Sequence, residues 1–167
     1  MAKTSTFDIT SEVDLQEVDN AVNQTLKEVA QRYDFKGATI EVELSKKDKE
    51  IKLLADDEYK MKALIDTLET KLIKRGVPVR NLDYGEVDTA SLGRARQTVS
   101  LVTGISVEKG KEIVKAIKAA GFKKVNAQIQ DEQVRVSSPS IDELQGVIAA
   151  LKKEDFGLEL QFGNFRS

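Results

Sequence analysis

Two groups of side chains in this chain have the types and spacing to hold a phosphate and a base. The first alternates along three apolar segments: Arg94, Arg96, Thr98 and Ser100, then Asn126, Gln128 and Gln130, then Arg135 and Ser137. Alternate residues of a β-strand share a face, so this spacing gathers guanidinium, amide and hydroxyl groups on one surface. An arginine fork binds a phosphate or a guanine edge bidentately, and an amide offers both a donor and an acceptor. The second group is contiguous: Arg32-Tyr33-Asp34-Phe35-Lys36-Gly37. Two cations, two rings and a glycine could stack a base and hold its phosphate. Each group also has a plainer reading. The alternating face could be solvated or packed on another domain. The contiguous segment could simply end a helix, with Tyr33 and Phe35 closing the core and Arg32 and Lys36 complementing the helix dipole. For that segment the helix-end reading is preferred. Arg75, Arg80, Arg94 and Arg96 fall near the middle of the chain, where they could form a basic cleft or ion pairs.

Other chemistry has little to work with. The chain of 167 residues contains no His and no Cys. That removes the commonest general base, the usual zinc ligands, thiol nucleophiles and disulfides. Neither a GxxxxGK[ST] loop nor a GxGxxG fingerprint occurs. Asp56-Asp57-Glu58 could hold magnesium, but acids before a helix more often cap it. No catalytic residue, metal ligand or cofactor is assigned. The formal net charge of −2 argues against a protein that coats nucleic acid, which needs a strong positive field. No apolar run approaches membrane-spanning length and the first residues lack the apolar stretch of a signal peptide, so a cytoplasmic protein is expected.

The elements that must position these groups repeat. Phe7 to Ser11 alternates as a strand. Leu15, Val18, Val22, Leu26, Val29 and Tyr33 then recur at helical steps, with Asp14 and Glu17 resembling a capping box. Ile40, Val42 and Leu44 pair with Ile51 and Leu53 across the turn at Lys46 to Lys49. A helix follows through Met61, Leu64, Ile65, Leu68 and Leu72, capped by Asp56 or Asp57, and Val79 to Tyr84 reads as a strand. The second half repeats the plan. Its strand is Ala95–Leu101, its helix is capped by Ser106, and its hairpin turns at Asp131-Glu132. A second helix is capped by Ser140 and Glu143, and a strand runs through Leu158, Leu160 and Phe162.

Strand–helix–hairpin–helix–strand predicts a four-stranded antiparallel sheet with two helices on one face, the ferredoxin-like arrangement, and an α+β protein with two such domains. The expected division is residues 1–84, a linker over 85–93, and 94–167. The linker could instead pair as a further strand. On this reading the first sheet presents a mostly acidic outer face through Asp8, Thr10, Glu41, Glu43 and Lys52. The second presents the arginine- and amide-rich face.

Several segments resemble the YajQ family. These are Phe7-Asp8-Ile9 with Ser11-Glu12-Val13-Asp14, Arg32-Tyr33-Asp34-Phe35-Lys36-Gly37, Val125 to Gln130, Gln133-Val134-Arg135-Val136, Asp142-Glu143-Leu144-Gln145 and Asn164-Phe165-Arg166. The resemblance covers nearly the whole chain. It implies two ferredoxin-like domains that exchange their N-terminal strands, and nucleotide binding without catalysis. Cyclic di-GMP is the ligand associated with the family, and RNA is an older suggestion. Members often carry a Gly-Lys stretch with a nearby Arg before the last helix. Here that stretch is Ser137-Ser138-Pro139-Ser140, which has no cation. The expected ligand is therefore a guanine nucleotide, cyclic di-GMP or GTP, held by Arg94, Arg96, Gln128 and Arg135, with Arg32, Phe35 and Lys36 as the second candidate set. The alternatives are an RNA-binding module, with transfer RNA as the natural test, or an adaptor that docks a protein partner without nucleotide.

Overall fold

A computed structural model describes residues 3–167. Among the described residues nine strands form two antiparallel sheets, and four α-helices lie two on each. In chain order the elements are β1 (Ser5–Thr10), α1 (Leu15–Gln31), β2 (Glu41–Ser45), β3 (Glu50–Ala55), α2 (Glu58–Lys74), β4 (Leu82–Tyr84), β5 (Asp88–Thr89), β6 (Ala95–Leu101), α3 (Val107–Ala119), β7 (Asn126–Gln130), β8 (Gln133–Ser138), α4 (Ile141–Lys152) and β9 (Gln161–Arg166). The architecture is the expected α+β pair of ferredoxin-like domains.

The chain does not divide at its middle. One sheet has the order β7-β8-β1-β9 and the other β2-β3-β6-β4, with β5 also on β6. The first strand of each repeat thus lies in the sheet of the other repeat. β1 sits between β8 and β9, and β6 sits between β3 and β4. The compact units are Val13–Val102 and a discontinuous one made of the described residues up to Glu12 with Thr103–Ser167. The contiguous halves 1–84 and 94–167 are therefore not the packing units, because each lacks its own central strand. We call Val13–Val102 the inserted unit and the other the split unit. The exchange implied by the family resemblance accounts for this division.

Each unit has its own core. In the inserted unit Val18, Val22 and Val29 of α1 and Leu64, Leu68 and Leu72 of α2 cover Ile51, Leu53 and Val99. In the split unit Ile113 and Ile117 of α3 and Leu144, Val147 and Leu151 of α4 cover Phe7, Ile9, Val134 and Val136. The helices begin where short polar side chains can satisfy their free amides. Asp14 accepts from Gln16 N at 3.0 Å, Asp57 from Lys60 N at 2.7 Å, Ser106 from Lys109 N at 3.2 Å and Ser140 from Glu143 N at 3.3 Å. Glu17 does not reach back to complete a capping box. It pairs with Arg75 at 2.9 Å.

Two expectations are corrected locally, and one alternative left open is resolved. The strand expected over Val79 to Tyr84 shortens to Leu82–Tyr84, because Val79–Asn81 makes a 3-10 turn after Pro78 and buries Asn81 against the Val102 carbonyl at 2.9 Å. The last strand starts at Gln161 rather than Leu158, although Leu158 is buried. The segment 85–93 is paired as well as connecting. Gly85 donates its amide to the Thr98 carbonyl at 2.8 Å, and β5 follows it onto β6. A Cβ on Gly85 would stand 2.9 Å from that carbonyl oxygen, so the close approach needs glycine.

Candidate functional site

Strand exchange separates the residues expected to share one face. Arg94 and Arg96 belong to the inserted unit, Gln128 and Arg135 to the split unit. Each sheet must therefore be read with its actual neighbours.

On the split unit's sheet, Gln128 of β7 lies opposite Arg135 of β8, and Arg135 opposite Asp8 of β1. Arg135 donates from Nε to Asp8 Oδ1 at 2.9 Å and from Nη2 to Oδ2 at 3.4 Å. Asn164 of β9 donates its amide to the same carboxylate. It does so from a left-handed conformation, φ 56°, at a point where the β1–β9 register shifts by a bulge. Asp8 is only 4% exposed although it points to the polar side of the sheet. The Arg135 hydrogen bond, with help from Asn164, holds its carboxyl below the usual carboxylate range against the burial that would raise it. Asp8 was expected on the acidic first face. Here it neutralises the arginine expected to bind phosphate.

On the inserted unit's sheet, Arg96 is exposed, and its neighbours across the strands are Leu54 of β3 and Asp88 of β5. It lines a shallow hollow of about 310 Å³ with Glu41, Glu43, Lys52, Leu54 and Thr98. The acids on this face make it a poor seat for phosphate. Arg94 does not line that hollow. Its Nη2 donates to Thr39 Oγ1 at 3.4 Å, in the segment just after Gly37.

The contiguous segment forms a more definite cavity. A hollow of about 640 Å³ opens between the end of α1 and the start of β2, lined by Leu26, Val29, Gln31, Arg32, Tyr33 and Lys36 among others. Helix α1 stops at Gln31 because Arg32 is extended (φ −80°, ψ 134°), and Tyr33–Phe35 continues as one 3-10 turn. Phe35 is 5% exposed and fills the core, as the helix-end reading requires. Tyr33 does not: it is 88% exposed, so it cannot close the core. Arg32 is fully engaged. It grips Asp34 through Nε at 3.0 Å and Nη2 at 2.7 Å, donates from Nη1 to Thr67 Oγ1 at 2.8 Å, and its guanidinium lies 5.0 Å from the Phe35 ring centre. It braces the turn and is not a free phosphate ligand. The Arg32 forks hold the Asp34 carboxyl below its usual range. Lys60 Nζ completes the brace at the Asp34 carbonyl, 2.6 Å away. Lys36 stays exposed.

The cavity therefore combines an exposed phenol ring (Tyr33), an exposed amide (Gln31) and an exposed ammonium (Lys36). These can stack a base, read its edge and neutralise a phosphate. Reading the sequence missed Gln31 and assigned Tyr33 to the interior. Among the described residues no group of three or more His, Cys, Asp or Glu is placed to share a metal ion. No helix among them is long and apolar enough to cross a membrane.

Comparison with known proteins bears on the same chain. The family described as nucleotide-binding protein YajQ-like matches residues 5–166. A nucleotide-binding protein of Carboxydothermus hydrogenoformans is 53% identical over 166 residues, covering 99% of this chain and 100% of the relative. Proteins of the same name from Geotalea uraniireducens and Syntrophotalea carbinolica are 55% and 56% identical, each match covering 96% of this chain and 98% of the relative.

Proposed function

The chain belongs to the YajQ-like family, and from that premise we propose that it is a non-catalytic, cytoplasmic nucleotide-binding protein, an effector or adaptor whose ligand is cyclic di-GMP or a related guanine nucleotide such as GTP. The relatives' name supports the ligand class. The observation that carries the reading for this chain is the hollow after α1, with Tyr33 88% exposed beside Gln31 and Lys36. The base stacks on Tyr33, the Gln31 amide reads its donor and acceptor edge, and Lys36 meets the phosphate. Arg32 and Phe35 position the turn and do not touch the ligand. Arg94 is held on Thr39, in the segment that follows Gly37. Gln128 and Arg135 stand on the other unit and leave the site.

Calorimetric titration of cyclic di-GMP, GTP and ATP tests the reading. Guanine nucleotides bind with measurable heat, and Tyr33→Ala weakens them about tenfold through loss of stacking. Lys36→Ala weakens them and flattens the salt dependence. No heat and no thermal shift with any of the three nucleotides overturns it. Transfer RNA is the competing ligand. Its binding must fall steeply with salt to count as phosphate tracking, and RNA capture with silent nucleotide titrations selects that alternative.

A further inference from the structure

The edge of the split unit's sheet carries a second surface with different chemistry. Strand β7 ends the sheet order, so one side of its backbone has no strand partner within that sheet. Exposed edges recruit other strands, and proteins blunt them with charges, proline or bulges. Two of the other edges, β9 and β2, are blunted in these ways. β9 is bulged at Asn164 and β2 carries Glu41 and Glu43 outward. β7 pairs with β8 in unbroken register over five residues, Asn126 to Gln130, with neither charge nor proline among them.

Beside that edge runs a groove of about 390 Å³ between α3 and β7. Its floor is Val114, Ala127 and Ile129, and its wall is Lys111, Lys115 and Lys118. Steps of four and three place the lysines on one face of α3. All three are exposed, and none has a carboxylate within ion-pair distance among the described residues, whereas Lys109 on the same helix pairs with Glu112 at 3.2 Å. Gly110 lets α3 rest directly on Ile129, since a Cβ there would fall 3.1 Å from that side chain. This contact fixes helix and strand together, so the groove is a built feature of the unit.

We propose that this groove docks an acidic, extended peptide segment of a partner protein, which adds as a strand to β7. Backbone pairing with β7 supplies affinity. The side chains that face α3 are alternately apolar, over Val114 and Ala127, and acidic, against the lysine row. The lysine row also decides against a second copy of this chain. An antiparallel pairing of two β7 edges would set one lysine-lined α3 beside another, and like charges repel. Nucleic acid is disfavoured on a separate ground. The lining residues include no aromatic ring, so bases would find no stacking platform.

The test uses fluorescence anisotropy on the full chain with the labelled peptide Glu-Thr-Val-Ser-Ile-Thr-Glu-Ser-Asp. Three companions complete it: the same peptide with every acid replaced by Lys, the acidic peptide N-methylated on alternate residues, and a labelled oligo-uridine. The acidic peptide saturates the protein, while the basic and N-methylated peptides do not. The triple variant Lys111→Glu, Lys115→Glu, Lys118→Glu weakens the acidic peptide about tenfold, because three rim ion pairs are lost and like charges take their place. Circular dichroism of the variant checks its fold, and the N-methylated peptide decides even if that variant is unstable. Equal binding of acidic and N-methylated peptides overturns the proposal, as does indifference to peptide charge. Lysine-dependent capture of oligo-uridine in place of the peptide overturns it too. None of these outcomes depends on nucleotide binding at Tyr33.

Discussion

The outer faces of the two sheets share a fold plan and treat an arginine in opposite ways. In the split unit Arg135 is spent. Asp8 stands directly across from it, almost fully buried, and takes two of its hydrogen bonds. In the inserted unit Arg96 occupies an equally central strand, yet it remains exposed among Glu41, Glu43, Asp88 and Lys52. Residue type therefore does not decide whether a charge is available. The burial of the acid across the strand does: Asp8, brought by strand exchange, is buried against Arg135, whereas Asp88, directly across from Arg96, is exposed and makes no ion pair with it among the described residues.

The sharpest way to break this contrast is to remove the acid. Asp8→Ala takes the acid from the partly exposed Arg135 guanidinium and costs about 2 kcal/mol in denaturant unfolding, the scale of lost hydrogen bonds to a charged group. An Asp8→Ala loss no larger than that of Arg96→Ala would erase the difference between the two faces. The next test is pH. The folded-state pKa of Asp8 is lowered from its ordinary value of 3.8, so the stability its ionised form contributes is complete above that value. It is lost as pH falls below 3.8 toward the folded value. The wild-type protein should lose stability in this acid range more steeply than Asp8→Asn. Parallel acid titrations of the two would count against the pair. A smaller effect is expected at Asn164. Asn164→Gly relaxes the left-handed backbone but gives up the amide bond to Asp8, for a net cost under about 1 kcal/mol. Arg96→Ala should change stability least, by roughly 0.5 kcal/mol or less, as expected of an exposed side chain with no ion pair among the described residues.

What was legible in the sequence was local. Asp14, Asp57, Ser106 and Ser140 cap the helices they precede, because a cap needs only its own next three residues. The hairpin turns at Lys49 and Asp131 were marked by polar runs, and both residues take φ 54°. The exchange of β1 and β6 had no local signal. Both strands alternate apolar and polar residues and precede a helix, so either fits either sheet, and only the family resemblance carried it. Tyr33 was misplaced for a different reason. It follows Val29 at a helical step, but the helix ends at Gln31 and the extended Arg32 turns the periodicity off. The lysine groove went unread because Lys111, Lys115 and Lys118 look like an ordinary solvated helix face until β7 is known to be an edge.

The insertion of one unit within the other also sets an order of assembly during synthesis. All the strands of the Val13–Val102 unit lie in one uninterrupted stretch, so that unit can close as soon as Val102 is available. β1 must wait. Its Asp8 meets Arg135 and Asn164 across 127 and 156 residues of chain, and Phe7 and Ile9 stay unburied until β8 and β9 arrive. At about 5–20 residues per second, the nascent chain carries this strand without neighbours for roughly 6–30 seconds. The earliest strand made is thus among the last to be paired.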